Sequence, residues 1–195
     1  MLEVRRPRPG EGGALLRLFQ ACFAEHGSHP GHAAGALRGP TWVAALEDEP
    51  VGFGCMMALH GSREPELRRL LGCLSPDARA LLEPLADPLL AGGATEAPAV
   101  RVEAPAELRI ELGARDVRFT ALGVLPSHRR LGIGTLLARA RLARAIERGA
   151  TQVFVDCVAG SGSRELYERI GFTPLVTKAR HYRGGAGMTL MHTFL

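Results

Sequence analysis

The stretch that decides the fold is Val124-Leu125-Pro126-Ser127-His128-Arg129-Arg130-Leu131-Gly132-Ile133-Gly134-Thr135. An apolar run ends at Val124, a proline loop turns the chain, and two glycines open a helical pattern. The first N–H groups of a helix have no internal partners, and the helix dipole adds about half a positive charge there. Gly132 and Gly134 lack the Cβ atoms that would hold an anion off those amides. Arg129 or Arg130 adds a formal charge at the rim. The expected product is a cradle for a diphosphate.

Two other phosphate loops fit worse. A P-loop needs Lys-Ser/Thr after its last glycine, and none is present. The dinucleotide fingerprint needs a third glycine, and Leu137 stands in its place, although Asp156 could mimic the acid on the next strand.

Working outward, Val117 to Val124 reads as the strand that feeds this loop. Gly132 to Arg148 reads as a helix with Ile133, Leu136, Leu137, Ala140, Ala143 and Ile146 on its apolar side. Arg141, Arg144 and Arg148 fall on the other side, a solvated arginine face. Gly149 ends the helix. Val153 to Val158 is a buried strand, Ser161 to Ile170 a short helix closed by Gly171, and Phe172–His181 with Met188–Phe194 a final strand pair.

Upstream, Leu2 to Arg6 is a first strand and Gly10 to Gly13 a turn. Ala14 to Glu25 is a helix with Leu15, Leu18, Phe19, Cys22 and Phe23 at helical spacing. His26 to Pro40 is a loop with room for one short helix. Thr41–Leu46 and Val51–Leu59 form a hairpin about a turn at Glu47–Pro50, with Gly52 and Gly54 marking a bulge. Trp42, the sole tryptophan, should anchor that hairpin in the core. Between Gly61 and Arg115 two short helices are expected within Glu64–Leu90, a linker at Ala91–Pro98, and one or two strands within Val100–Leu112. The order is β, α, β-β, insert, β-α-β-α-β-β, without internal repeat. This is an α/β (α+β) mixed sheet, read as a single domain spanning 1–195 with an inserted segment at about 61–115 between the third and fourth main strands.

That order and two motifs resemble the GNAT superfamily of acyl-CoA-dependent N-acyltransferases. Arg129-x-x-Gly132-x-Gly134, preceded by Val124-x-Pro126, is similar to its acyl-CoA loop. Ser163-Arg164-Glu165-Leu166-Tyr167-Glu168-Arg169-Ile170-Gly171-Phe172 is similar to its second motif, Leu-Tyr-Glu-x-x-Gly-Phe. The resemblance covers about Val117 to Phe172. It implies that Leu122, Gly123 and Val124 pair with the pantetheine arm of acetyl-CoA. It also implies that Arg129, Arg130, Leu131, Gly132, Ile133, Gly134 and Thr135 hold the diphosphate, that the fourth and fifth strands (Val117–Val124 and Val153–Val158) splay to admit the thioester, and that Tyr167 protonates the leaving thiolate. Two positions depart from the family pattern: Gly160 replaces an asparagine and Ser163 an alanine. Ser161 or Ser163 could cap the short helix instead. The insert is the larger departure, since the family usually has a short turn there.

The implied reaction is direct transfer of acetyl to an amine in a ternary complex, with no acyl-enzyme. An amine of pKa about 10.4 must lose a proton before attack, and a carboxylate or water can take it. Backbone N–H near Val124 can hold the oxyanion. Asp116, Glu103, Glu107 and Glu111 are candidate bases that spacing does not separate. Cys157 sits in a buried apolar strand with no evident base. A silent acyl-CoA binder, a larger acyl group or an O-acceptor are the alternatives.

Composition limits other classes. The chain has 195 residues with a net charge of +4, and nearly all its basic charge is arginine, Lys178 being the only lysine. The arginines are dispersed and not interleaved with aromatics, so no nucleic-acid footprint is read. Cys22, Cys55, Cys73 and Cys157 lack paired spacing, which points to free buried thiols rather than disulfides or zinc. His26-x-x-His29-x-x-His32 is read as a surface loop rather than a metal site. No run approaches about 18 apolar residues, so no membrane span is expected, and a cytoplasmic location follows as an expectation. The leucines of Glu64–Leu90 could pack over the sheet or serve a homodimer.

Overall fold

The structure is a computed structural model that describes residues 1–24, 37, 39–59, 99–101, 115–179 and 185–195. The elements are β1 (Leu2–Arg5), α1 (Gly12–Phe23), β2 (Thr41–Leu46), β3 (Glu49–Ala58), β4 (Ala99–Arg101), β5 (Val117–Val124), a 3-10 turn (Pro126–His128), α2 (Ile133–Glu147), β6 (Gln152–Val158), α3 (Ser163–Arg169), β7 (Thr173–Lys178) and β8 (Met188–Phe194). The strands form one mixed sheet in the order β1-β2-β3-β5-β6-β8-β7-β4. Every neighbouring pair is antiparallel except β5 and β6. The mixed α/β class is as expected. The expected helices of Glu64–Leu90, the His26–His32 loop and the acids Glu103, Glu107 and Glu111 lie outside the described residues. Of the strands expected within Val100–Leu112, β4 supplies one, on the far edge beside β7.

Strand alternation sends side chains to two layers. On one face Trp42, Ala44, Met56, Val117, Phe119, Val153 and Val155 meet α2 and α3 through Ile133, Leu137, Ala138, Ala145 and Tyr167. On the other, Val43, Phe53 and Cys55 meet α1 through Leu15, Leu18, Phe19 and Cys22. Trp42 is buried as expected, with the Arg6 guanidinium 4.6 Å above its ring.

Helix α1 starts earlier than the glycines of Gly10–Gly13 suggest. Glu11 accepts the Arg8 N–H at 2.6 Å and binds both terminal nitrogens of Arg5 at 2.6 and 2.9 Å. This anchor, with burial of the Leu15–Cys22 stripe, outweighs the poor helix propensity of Gly12 and Gly13. The Arg5 guanidinium holds the Glu11 carboxyl down to about 2.

The hairpin turn is tighter than expected. Glu47 and Asp48 both take positive φ, 50° and 70°, as a two-residue turn matched to strand twist requires. β3 therefore begins at Glu49 rather than Val51. Gly52 and Gly54 are not the bulges. The register slips between Ala44 and Ala45 on β2, and between Cys55 and Met56 where β3 meets β5. The two glycines instead permit close approach from α2. A Cβ on Gly52 would lie 3.2 Å from Leu137 Cδ1, and one on Gly54 would lie 3.0 Å from Arg141 Nε.

Helix α2 buries a different stripe from the expected one. Ile133, Leu137, Ala138, Arg141 and Ala145 face the sheet, while Leu136 and Ile146 are 44% and 60% exposed. The buried line follows steps of four residues from Ile133 and includes a cation. Arg141 thus leaves the solvated arginine face assigned to it.

Candidate active site

The parallel pair β5–β6 carries the opening. Its register is Val117↔Val153, Arg118↔Phe154 and Phe119↔Val155, and pairing stops there. β5 runs on to Val124 and β6 to Val158 without touching as a ladder. Their outer edges stay paired: Leu122, Gly123 and Val124 face Gly54, Phe53 and Gly52 of β3, and β6 is laddered to β8 from Gln152 to Val158. Only the shared edge is open. The bulge opposite Cys55/Met56 adds Thr120 to β5 at the point of parting. The Thr120 hydroxyl is buried there without a hydrogen-bond partner among the described residues.

The open edge leads into the glycine loop. The chain passes Leu125 and the 3-10 turn, and Arg130 adopts φ 65°. Gly132 is the N-cap of α2 at φ 79°, and no side chain caps the helix. A Cβ on Gly132 would meet nothing within 4 Å, so space does not require glycine there, but its φ of 79° does. Gly134 has a different reason. A Cβ there would come within 2.8 Å of Leu166 Cδ1 and 3.9 Å of Leu122 Cδ2. Its missing side chain lets α3 close against α2. Arg129, Arg130, Leu131 and Gly132 are exposed. Arg129 Nε donates to Val124 O at 3.2 Å, and Arg130 Nη2 reaches toward Gly162, 3.8 Å from where a Cβ would stand. The residues expected for the cofactor, Leu122–Val124 and Arg129–Thr135, therefore gather at one end of the parted strands.

Tyr167 lies between α3 and the sheet. Its ring packs on Phe172 and Phe119, with centroids at 5.2 and 6.5 Å, and is 2% exposed. Its hydroxyl is not at the surface. It accepts from Arg141 Nη2 at 2.8 Å. The same guanidinium donates through Nη1 to Cys55 O at 3.1 Å and Ala121 O at 3.3 Å, and through Nε to Leu137 O at 3.3 Å. Its Cζ lies 4.1 Å above the Phe119 ring. The Tyr167 oxygen thus sits within a guanidinium's breadth of Ala121, just past the last β5–β6 pair. Burial pushes the phenol up to about 12, against the attraction of Arg141.

The remaining groups are committed elsewhere. Burial raises the Cys157 thiol to about 12, and its Sγ lies 3.7 Å from the Met191 sulfur. Asp116 is buried at the opposite, closed end. It accepts from the Thr151 N–H and hydroxyl, the Gln152 N–H and Gln152 Nε2, at 3.1, 3.1, 3.2 and 2.7 Å. Such a carboxylate is a staple, not a base. Asp156 is paired with Arg118 at 2.8 Å. The capping role expected of Ser161 or Ser163 is not seen: α3 has no side-chain cap, and the Ser161 hydroxyl donates to Val158 O at 2.6 Å. Among the described residues no cluster suits a metal ion, and no helix is long and apolar enough to cross a membrane.

The sequence profile of the acetyltransferase (GNAT) family matches residues 100–172. No curated protein matches the chain. Among solved structures, the chain is similar to a Drosophila melanogaster polyamine N-acetyltransferase that forms N-acetylagmatine, at 19% identity and a TM-score of 0.65, covering 100% of both chains. It is also similar to the ribosomal-protein-S18-alanine N-acetyltransferase of Escherichia coli, at 12% identity and 0.63, covering 100% of this chain and 94% of that one. A third, a Salmonella typhimurium putative acetyltransferase with its cofactor acetyl-CoA, stands at 13% and 0.60, with 100% and 94% covered. The architecture is the GNAT N-acyltransferase fold, and residues 100–172 carry that family's sequence pattern.

Proposed function

We propose that this chain is an acetyl-CoA-dependent acetyltransferase acting on an amine. The observation that supports this most is the single open edge of β5, which runs from Thr120 to Val124 and ends at an uncapped helix opened by Gly132. An extended pantetheine arm can add to that edge as a strand would. The diphosphate then falls on the free amides of Ile133, Gly134 and Thr135, with Arg129 and Arg130 at the rim. Thr120 supplies an unused hydroxyl where the arm would pass.

In this reading a neutral amine attacks the thioester carbonyl between the parted strands. Backbone N–H near Val124 holds the oxyanion. The C–S bond breaks with its electron pair on sulfur, and Tyr167 supplies the proton. A phenol and a thiol are close enough in ordinary pKa for that transfer. With Asp116 saturated and Asp156 tied to Arg118, the amine's proton leaves through water. An amine acceptor is supported by similar structures whose names specify N-acetylation, of a polyamine in one and of ribosomal-protein-S18 alanine in another.

The test is a melting curve with CoA, followed by acetyl-CoA with agmatine and with an alanyl peptide, read as free thiol. CoA at a hundredfold over its Kd should stabilise the protein by about 2.7 kcal/mol, and one amine class should release thiol. Stabilisation without thiol release from any acceptor would instead favour a silent acyl-CoA binder. No stabilisation at millimolar CoA would remove the proposal.

A further inference from the structure

The cation at Arg141 is the feature that the fold does not require. It occupies a core position of α2, in line with Ile133, Leu137 and Ala145, and is fully buried. An apolar side chain there would be cheaper, since replacing a buried charge by a hydrophobe of like volume is often neutral or stabilising. No carboxylate lies within 4 Å of it among the described residues. Its partners are three carbonyls, an aromatic face and one phenol. The chain also makes room for it: Gly54 stands where any Cβ would press on its Nε, Cδ and Cζ at 3.0 to 3.3 Å. Of all these partners, only Tyr167 can change charge.

We propose that Arg141 is a positioning residue for Tyr167: its guanidinium fixes the phenolic oxygen as an acceptor, leaves the phenolic proton free to turn into the gap between β5 and β6, and balances the charge when that proton departs. The direction of the 2.8 Å bond carries the argument. A guanidinium can only donate, so the Tyr167 oxygen must accept and its own hydrogen must point elsewhere. The same fork reaches Ala121 O, which ties the phenol to the β5 strand where the gap begins. This rests on the acetyl-transfer reading above. As the tetrahedral adduct collapses, the C–S bond breaks, sulfur keeps the pair, and the proton passes from Tyr167 to sulfur. The phenolate is left beside Arg141 and regains a proton from water, so amine and acetyl thioester become amide and thiol.

The experiment has two arms. In the first, both tyrosines are replaced by 3,5-difluorotyrosine, whose lower intrinsic pKa brings titration into the native range. Tyr182→Phe removes the second resonance, since the chain has only two tyrosines. The 19F resonance of position 167 is then titrated with and without Arg141→Met. Loss of a cation in contact should raise the ionisation midpoint by roughly one to three pH units. An unmoved midpoint would overturn the proposal, whatever the chain's activity. In the second arm, kcat and KM for acetyl-CoA are measured for Arg141→Met, Arg141→Lys, Tyr167→Phe and the double variant Arg141→Met/Tyr167→Phe. We expect Tyr167→Phe to lower kcat by about a hundredfold or more. Arg141→Met should follow it with KM little changed, and Arg141→Lys should recover part of the loss. The double variant should be no worse than Tyr167→Phe, because the two act as one unit. Multiplying losses would refute the coupling. Full activity in Tyr167→Phe would instead sink the general-acid reading while leaving the first arm to judge the contact. Arg141→Met is chosen to fold, and an unchanged melting temperature checks that.

Discussion

The strands β5 and β6 have two ends, and polar residues are treated oppositely at each. At the closed end, Asp116 takes hydrogen bonds from Thr151 and Gln152 on the opposite side of the pair, and Gln152 Oε1 lies 3.1 Å from His192 Nε2. Every buried charge there has donors to match, as interiors require. At the open end, among the described residues, a strand edge is unpaired, a helix has no side-chain cap, the Thr120 hydroxyl has no partner, and a guanidinium holds a phenol with no carboxylate beside it. Satisfaction of buried polar groups marks the end that holds the sheet together. Its absence marks the end where, in the proposed function, acetyl-CoA would complete the structure.

That contrast can be broken in several ways. The largest effect is expected from Asp116→Ala, which strips at least four donors of their acceptor. We expect a loss of roughly 3–5 kcal/mol, seen as a fall of about 6–20 °C in melting temperature. CoA affinity of the folded fraction should be unchanged, and a matching loss of affinity would erase the distinction between the ends. Gly132→Val comes next. A β-branched residue at φ 79° costs about 1–3 kcal/mol, and it distorts the loop that would carry the diphosphate in the proposed function. CoA affinity by calorimetry should fall at least tenfold, with the melting temperature of the free protein lowered by only a few degrees.

His192 sharpens the closed end. Burial pushes its ring down to about 4, against about 6.5 when unfolded, so protonation favours the unfolded chain. Its contribution is fully present above about pH 6.5 and is lost as pH falls through about 4. Allowing for solvent screening, the urea midpoint at pH 5.0 should report about 1–2 kcal/mol less stability than at pH 7.5. Glu11, held down to about 2, keeps its contribution at pH 5.0 and loses it only in stronger acid. His192→Gln should flatten the difference, and an equally steep profile in that variant would reassign it. The smallest effect is expected from Gly134→Ala. Its new Cβ presses on the tip of Leu166, which can swing aside, and touches Leu122 only at ordinary contact distance, so CoA affinity should change less than threefold. A loss as large as that of Gly132→Val would mean that both glycines face the anion.

The glycine loop and the second motif were legible because each depends on local backbone demands. Gly132 needs positive φ, Gly171 ends α3 at φ 96°, and the strands around them are continuous apolar runs. The stripe of α2 was not legible. Choosing the apolar residues of Gly132–Arg148 selects Leu136 and Ile146, which point to solvent, and discards Arg141, which does not. Hydrophobicity is a poor guide where a cation is paired by carbonyls from other strands. The one available signal was the four-residue step from Ile133 through Leu137 to Ala145, which passes through Arg141. Likewise Asp116 reads as a free acid at the head of a strand. Only the return of β6 beside it, carrying Thr151 and Gln152, shows that its lone pairs are taken.

By itself the sequence determined the mixed sheet, the strand-loop-helix with its two glycines, and the placement of Tyr167 on the short helix that follows. These rest on dihedral preferences and periodicities that a residue carries wherever it is. The tertiary structure decided which polar groups are spent and which are spare: Asp116 saturated, Thr120 unpartnered, Arg141 buried against Tyr167. That outcome depends on distances between segments far apart in the chain, such as Cys55, Ala121, Arg141 and Tyr167, and those distances exist only once the sheet has closed.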